Sequence, residues 1–284
     1  MEIFTDKDLL QDSLIKQKLS GKTIGFVPTM GNLHDGHLSL VDIAEQKCDL
    51  TVVSIFVNPL QFGPNEDFDA YPRTLEADQQ KLEDKNVDYL FLPTTNTIYP
   101  SGMEKHTKVE AIDSLTNKLC GASRPGHFLG VTTVVNILFN IVQPDVAVFG
   151  KKDFQQFMIL KRMADDLCMP VDVIGADILR EPNGLAMSSR NGYLSDIEKD
   201  HASHLRANII AIQKQIEAGD SNYSSLENHA KQQLTREGFK VDYFNIVNQS
   251  TLEPATPSDK KLLIAAAAWL GQPRLIDNQE VNLM

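Results

Sequence analysis

The sequence predicts an α/β protein, with a doubly wound parallel sheet over residues 1–178 and a smaller α+β domain over 179–284. Three observations carry that expectation. Short, almost wholly apolar runs alternate with helix-period segments from Thr23 to the run that begins at Val171, as buried parallel strands with helical crossovers do. A glycine-punctuated stretch, Met30-Gly-Asn-Leu-His-Asp-Gly-His37, separates the first apolar run from the helical pattern after it. From Arg180 the texture changes to turns, two helical segments and three strand-like runs.

Taken in order, Asp8 to Leu19 reads as a short amphipathic helix and Thr23 to Val27 as the first buried strand, which Pro28 is expected to stop. The loop to His37 follows, then a helix over Leu38 to Lys47 and a second strand over Thr51 to Val57, which completes a βαβ unit. Val87 to Leu92 and Asp145 to Gly150 supply further strands. Between them Val131, Val134, Val135, Leu138, Phe139 and Val142 recur at helical spacing and mark a well-buried helix. Phe154 to Cys168 is another helix. Ser195 and Glu198 form a capping box opening a helix to about Glu217. A further helix over Ser224 to Glu237 and strands at Val241–Val247, Leu262–Leu270 and Arg274–Asp277 complete the second domain.

Composition narrows the function. A net charge of -11 and a pI near 5.1 argue against a nucleic-acid footprint, which needs clustered Lys and Arg. Cys48, Cys120 and Cys168 are widely spaced and odd in number, which favours neither a disulfide framework nor a zinc site and suggests a reducing, cytoplasmic compartment. The N-terminus has no signal-peptide core, and the longest apolar run, Leu262 to Leu270, is about half what a membrane helix needs. The expectation is small-molecule chemistry, without nucleic acid or membrane.

In doubly wound sheets ligands bind beyond the carboxyl ends of the strands, and those ends carry the polar residues here. After the first strand come Gly31, Gly36, His34 and His37; after the second come Asn58 and Gln61; after the fourth come Gly150, Lys151, Lys152 and Asp153, with Gln155 and Gln156 a turn later. Three loops are thus expected to converge on one crevice. A helix start such as that at His34 and His37 gathers N–H groups and a partial positive charge, and so favours phosphate. As single residues, Asn58 and Gln61 fit turn capping equally well, and Asp153 fits a helix N-cap.

His34-Asp-Gly-His37 after Pro28-Thr-Met-Gly31 resembles the nucleotide-binding signature of the nucleotidylyltransferase superfamily. Together with Ser54-Ile-Phe-Val-Asn-Pro-Leu-Gln-Phe62, Tyr71-Pro-Arg73, Arg124-Pro-Gly-His-Phe128, Lys152-Asp-Phe-Gln-Gln156, Met187-Ser-Ser-Arg190 and Asp277-Asn278, it is similar to the pantoate–β-alanine ligases along essentially the whole chain. The resemblance implies a Rossmann-like domain and ATP-dependent condensation of pantoate with β-alanine through a pantoyl-adenylate. It also implies release of pyrophosphate and AMP, Mg²⁺ carried by the ATP phosphates with no protein metal site, and a homodimer. By residue it implies catalysis by His37, His34 and Lys152, and ATP contacts from Met30, Gly31, Asn32, Leu33, His34, Asp35, Gly36, His37, Gly150, Lys151, Lys152, Asp153, Leu179, Met187, Ser188, Ser189 and Arg190. Gln61, Gln156 and Asn58 are implied to hold pantoate and β-alanine.

One position departs from that pattern. The family usually has an acidic residue where this chain has Lys151, which is expected to lie toward solvent because consecutive side chains point in different directions. The nearest rival reading is a nucleotidylyltransferase with a dinucleotide-like product, which shares the His-x-Gly-His loop but not the Gln61 and Gln156 pair.

Overall fold

A computed structural model describes residues 1–64 and 66–283. In chain order the elements are β1 (Glu2–Phe4), α1 (Lys7–Leu19), β2 (Ile24–Thr29), α2 (Asp35–Lys47), β3 (Leu50–Ile55), α3 (Leu75–Asp84), β4 (Tyr89–Phe91) and the short helices α4 (Thr95–Ile98), α5 (Asp113–Thr116) and α6 (Leu119–Ser123). Then come α7 (His127–Val142), β5 (Val146–Gly150), α8 (Phe154–Asp166), β6 (Asp172–Ala176), α9 (Asp196–Ala202), α10 (His204–Glu217), α11 (Tyr223–Arg236), β7 (Lys240–Asn248), β8 (Lys261–Trp269) and β9 (Arg274–Asn282). Among the described residues no helix is long and apolar enough to cross a membrane.

The chain divides into two compact units. The first is Met1–Ile112, Arg124–Lys151 and Gln156–Asp177; the second is Asp113–Ser123, Lys152–Gln155 and Ile178–Met284. This departs from a single cut near residue 178, and hydrogen bonding gives the reason. Buried Gln155 donates to the Leu115 and Lys118 carbonyls at 2.7 and 2.8 Å and accepts from Cys120 N at 3.0 Å, while Asn278 Nδ2 donates to the Lys152 carbonyl at 2.9 Å.

The first unit is a six-stranded parallel sheet in the order β1-β4-β3-β2-β5-β6. Successive strand residues alternate between two cores. Phe26, Val52, Phe91 and Ala147 pack with Leu10, Leu14, Val131 and Leu138 of α1 and α7. Val27, Val53, Leu90 and Val148 pack with Leu40, Val41, Ala44 and Leu82 of α2 and α3. Burying each such side chain contributes roughly 1.5–3 kcal/mol. From β2 the chain runs one way through β3 and β4, then returns on β2's other side as β5 and β6. The reversal therefore lies between β2 and β5, the position at which doubly wound sheets bind ligands.

β2 does not stop at Pro28, as the sequence suggested, but continues to Thr29 with Pro28 paired to Ser54. Thr29's carbonyl accepts from Phe56 just after β3, whereas Ile24's accepts from Asp145 just before β5. Even-numbered residues therefore face β5, and that pairing ends at Phe26. Pro28 lacks its N–H on the side where the ladder has already stopped.

In the second unit β7, β8 and β9 form an antiparallel sheet over which α10 and α11 bury Ile209, Ile212, Ile216, Leu226 and Leu234. The helix expected from Ser195 to Glu217 is two helices. Ser203 separates them and donates its hydroxyl to the Asp200 carbonyl at 2.6 Å, a local bond that competes with the helical ladder. β9 extends to Asn282 rather than ending at Asp277, since its pairing with β8 continues through Asn278, Gln279 and Glu280.

Candidate active site

The loop after β2 is shaped by positive φ at Gly31 (81°) and Asn32 (50°), conformations that glycine and asparagine tolerate best. Buried Asp78 of α3 holds it: Oδ2 accepts from Asn32 N and Oδ1 from Leu33 N, each at 2.8 Å. Lys81 of the same helix donates to the Leu33 carbonyl at 2.6 Å.

His34 then caps α2. Its Nδ1 accepts from Gly36 N at 3.2 Å, while His37 Nδ1 accepts from His34 N at 3.4 Å. A nitrogen that accepts carries no proton, so in each neutral ring the N–H is Nε2. The rings lie 4.1 Å apart between centroids. α2 sits close to the sheet because Gly25 of β2 faces Ala44, whose Cβ would be 3.1 Å from any Cβ at position 25. The arrangement is a helix N-terminus at the sheet's switch point, carrying paired imidazole donors.

After β3 the chain turns through Pro59–Gln61. Asn58, 1% exposed, accepts from Leu60 N and from Tyr99 Oη, and donates to the Gly130 carbonyl at 3.1 Å and to Gln61 Oε1 at 3.3 Å. Burial pushes the Tyr99 hydroxyl's pKa up, which keeps it a donor. Gln61 Nε2 lies 2.8 Å from Met30 Sδ, joining this turn to the loop after β2. Beyond it Phe62 packs edge-on with Phe68 and Tyr71, and Arg73 donates to the Phe68, Asp69 and Tyr71 carbonyls, so the loop is internally packed.

After β5, half-buried Lys151 directs its ammonium to the exposed Asp177 at 3.2 Å. Its stem lies against Gly175, where a Cβ would be 3.1 Å from Lys151 Cγ. Gln156 on α8 is half-buried. The first unit thus holds Met30 to His37, Asn58, Gln61, Gly150, Lys151 and Gln156.

The remaining anticipated residues belong to the second unit. Lys152 Nζ lies 3.3 Å from Asp153 Oδ2, and its carbonyl is held by Asn278. Met187 N donates to the Leu179 carbonyl at 3.1 Å, Ser188 Oγ accepts from Arg190 N, and Ser189 and Arg190 begin a 3-10 turn. Buried Asn191 ties this turn to the Ala186 carbonyl at 3.1 Å. Arg180 makes a bidentate pair with buried Asp277 at 2.8 and 2.9 Å, and Asp277 in turn accepts from Asn278 N at 2.7 Å.

The family model for pantoate-beta-alanine ligase matches residues 2–280. The chain belongs to the pantoate-beta-alanine ligase family. It is 52% identical over 283 residues to a pantothenate synthetase of Cellvibrio japonicus, with 100% of each chain covered. The crystal structure of a pantothenate synthetase from Thermus thermophilus superposes with a TM-score of 0.92 at 41% identity, covering 99% of this chain and 100% of that one. A Francisella tularensis pantoate-beta-alanine ligase, solved as a complex with beta-gamma ATP and beta-alanine, gives a TM-score of 0.80 at 35% identity over 98% of this chain and 97% of that one.

Two of the anticipated residues have their polar groups engaged within the protein. Leu33 is 2% exposed in the core, with its N–H on Asp78 and its carbonyl on Lys81. Asn58 has its amide hydrogens and carbonyl oxygen engaged within the protein, one of them on the Gln61 side chain. Asp78, Lys81, Tyr99 and Asn278 were absent from the anticipated site. For Asp78 and Lys81 the available signal was their spacing of three residues, which places both on one helical face.

Proposed function

We propose that this chain performs its family's ATP-dependent condensation of pantoate with β-alanine by using His34 and His37 to stabilise charge on the ATP phosphates. A pantoate carboxylate oxygen attacks the α-phosphorus, the bond to pyrophosphate breaks, and pantoyl-adenylate forms. The β-alanine nitrogen then attacks the acyl carbon and loses a proton, and AMP leaves. The carboxylate approaches a centre that is itself negative, so positive groups and donors must face the phosphates in advance.

The observation that carries this reading is the paired Nδ1 bonding of His34 and His37 to their own helix end, which makes Nε2 the donor of each ring. The positive end of α2 adds to their effect. Lys152, Ser188, Ser189 and Arg190 supply charge and hydroxyls to the triphosphate, and Arg190 can do so in bidentate fashion. Met30, Gly31, Asn32, Asp35, Gly36, Gly150, Lys151, Asp153, Leu179 and Met187 contribute to the nucleotide site. Gln61 and Gln156 orient pantoate, since amides match both hydroxyl and carboxylate partners. Mg²⁺ carried by the ATP phosphates would neutralise part of their charge. A homodimer and a cytoplasmic location complete the proposal; the family resemblance supports the first and the three free thiols the second.

The test is pyrophosphate release with ATP and pantoate against ATP and nicotinamide mononucleotide. Release only with pantoate is expected, and release with the mononucleotide would favour the nucleotidylyltransferase reading. In the same assay His37→Ala should cost about two to three orders of magnitude in rate, as for loss of one oxyanion-type donor. Pyrophosphate release at nearly the parent rate would remove His37 from the mechanism.

A further inference from the structure

The Arg124-Pro-Gly-His127 turn has so far been given no task, and its side chains end on the residue assigned to pantoate. Pro125 and Gly126 occupy the central positions of a type II turn, with Gly126 at φ 82° and ψ -12° and His127 N bonded to the Arg124 carbonyl at 3.1 Å. This brings two side chains three residues apart onto one target. His127 Nδ1 lies 2.8 Å, and Arg124 Nη2 3.2 Å, from the main-chain carbonyl oxygen of Gln61. Arg124 Nη1 also lies 2.9 Å from His127 Nε2.

The donor roles follow from the end groups. The Gln61 carbonyl can only accept and the guanidinium can only donate, so the imidazole carries its proton on Nδ1 and presents a lone pair at Nε2. Arg124 is itself fixed by Glu66, whose carboxylate takes Nε and Nη2, each at 2.6 Å. Burial alone would raise the Glu66 pKa, but the hydrogen bonds and charge of Arg124 outweigh it and hold it below the ordinary carboxylate range. On the other side Gly130 admits the turn: a Cβ there would lie 2.8 Å from Gln61 N and closer still to the Leu60 carbonyl.

We infer that Glu66, Arg124 and His127 are positioning residues that clamp the Gln61 main chain and so aim its amide at pantoate. The inference rests on the pantoate role of Gln61 proposed above. An orienting group displaced by about 1 Å can cost on the order of 10²-fold in rate, so a clamp acting only through the backbone is enough to govern one substrate.

The experiment measures KM for pantoate and for ATP, kcat, and thermal melting in His127→Phe, His127→Asn, Glu66→Gln and Gln61→Ala. His127→Phe and Glu66→Gln should lower kcat/KM for pantoate by about 10- to 100-fold and leave the KM for ATP unchanged. His127→Asn, whose amide N–H replaces Nδ1–H, should recover most of the loss. Asn no better than Phe, or equal rises in both KM values, would overturn the clamp. Glu66→Gln gives the second reading should His127→Phe fail to fold. If Gln61→Ala leaves the pantoate KM unchanged, the role of Gln61 itself fails. If Gln61→Ala raises it and neither His127→Phe nor Glu66→Gln does, only the clamp fails.

Discussion

His34 and His37 each spend one ring nitrogen on the backbone of the helix they begin, so one bond both caps α2 and fixes a tautomer. Asp78 acts similarly on the preceding loop, where its carboxylate occupies the Asn32 and Leu33 amides. The two lysines after β5 differ in partner: Lys151 pairs with Asp177 and Lys152 with Asp153. Asp177 is almost fully exposed, so that ion pair is worth about 1 kcal/mol or less. Lys151→Glu should therefore change turnover little, whereas Lys152→Ala should lower it by about 10²-fold, the scale for losing an electrostatic contact to a transition state. Steady-state rates of the two variants under one assay decide this, and equal damage would move Lys151 into the catalytic set.

Elements were legible wherever burial repeats with a fixed period. β2, β3, β5, α7 and β8 appear in the sequence as apolar runs or helical stripes because both faces of a strand, or most of a helix, are covered. β1 was not legible, since three residues carry no period and its place comes from pairing with β4. The grip of α3 on the loop after β2 was hidden for another reason. No element was read from the sequence over Leu75–Asp84, where Asp78 and Lys81 stand among other polar residues, and only tertiary packing brings them to a loop more than forty residues earlier. Asn58 was legible as a polar residue at a strand end, but not that its partners lie inward. At this scale the close approach of α7 to the Pro59–Gln61 turn is the sharpest constraint, because Gly130 leaves no room for a methyl group. Gly130→Ala should push the turn away, cost on the order of 1–3 kcal/mol in stability as overpacking does, and raise the pantoate KM more than the ATP KM. Denaturant midpoints and both KM values check it, and an unchanged pantoate KM would mean that the turn's position does not matter to substrate.

For the whole molecule, the sheet order makes β2 and β5 neighbours at the point where the winding reverses, and the histidine loop and Gly150-Lys151 leave from those two strands. The second unit has its own fixed pieces, the Lys152 carbonyl held by Asn278 and the Ser188 to Arg190 turn held by Asn191. Each is a polar group locked by buried neighbours, as preorganised electrostatic catalysis requires. The central claim is that these groups serve an attack of the pantoate carboxylate on the α-phosphorus of ATP. Turnover of pantoate labelled with ¹⁸O in its carboxylate, followed by mass spectrometry of the products, tests it directly. The account predicts one labelled oxygen in AMP and the other in the amide carbonyl of pantothenate. Unlabelled AMP, or label appearing in inorganic phosphate beside ADP, would contradict it.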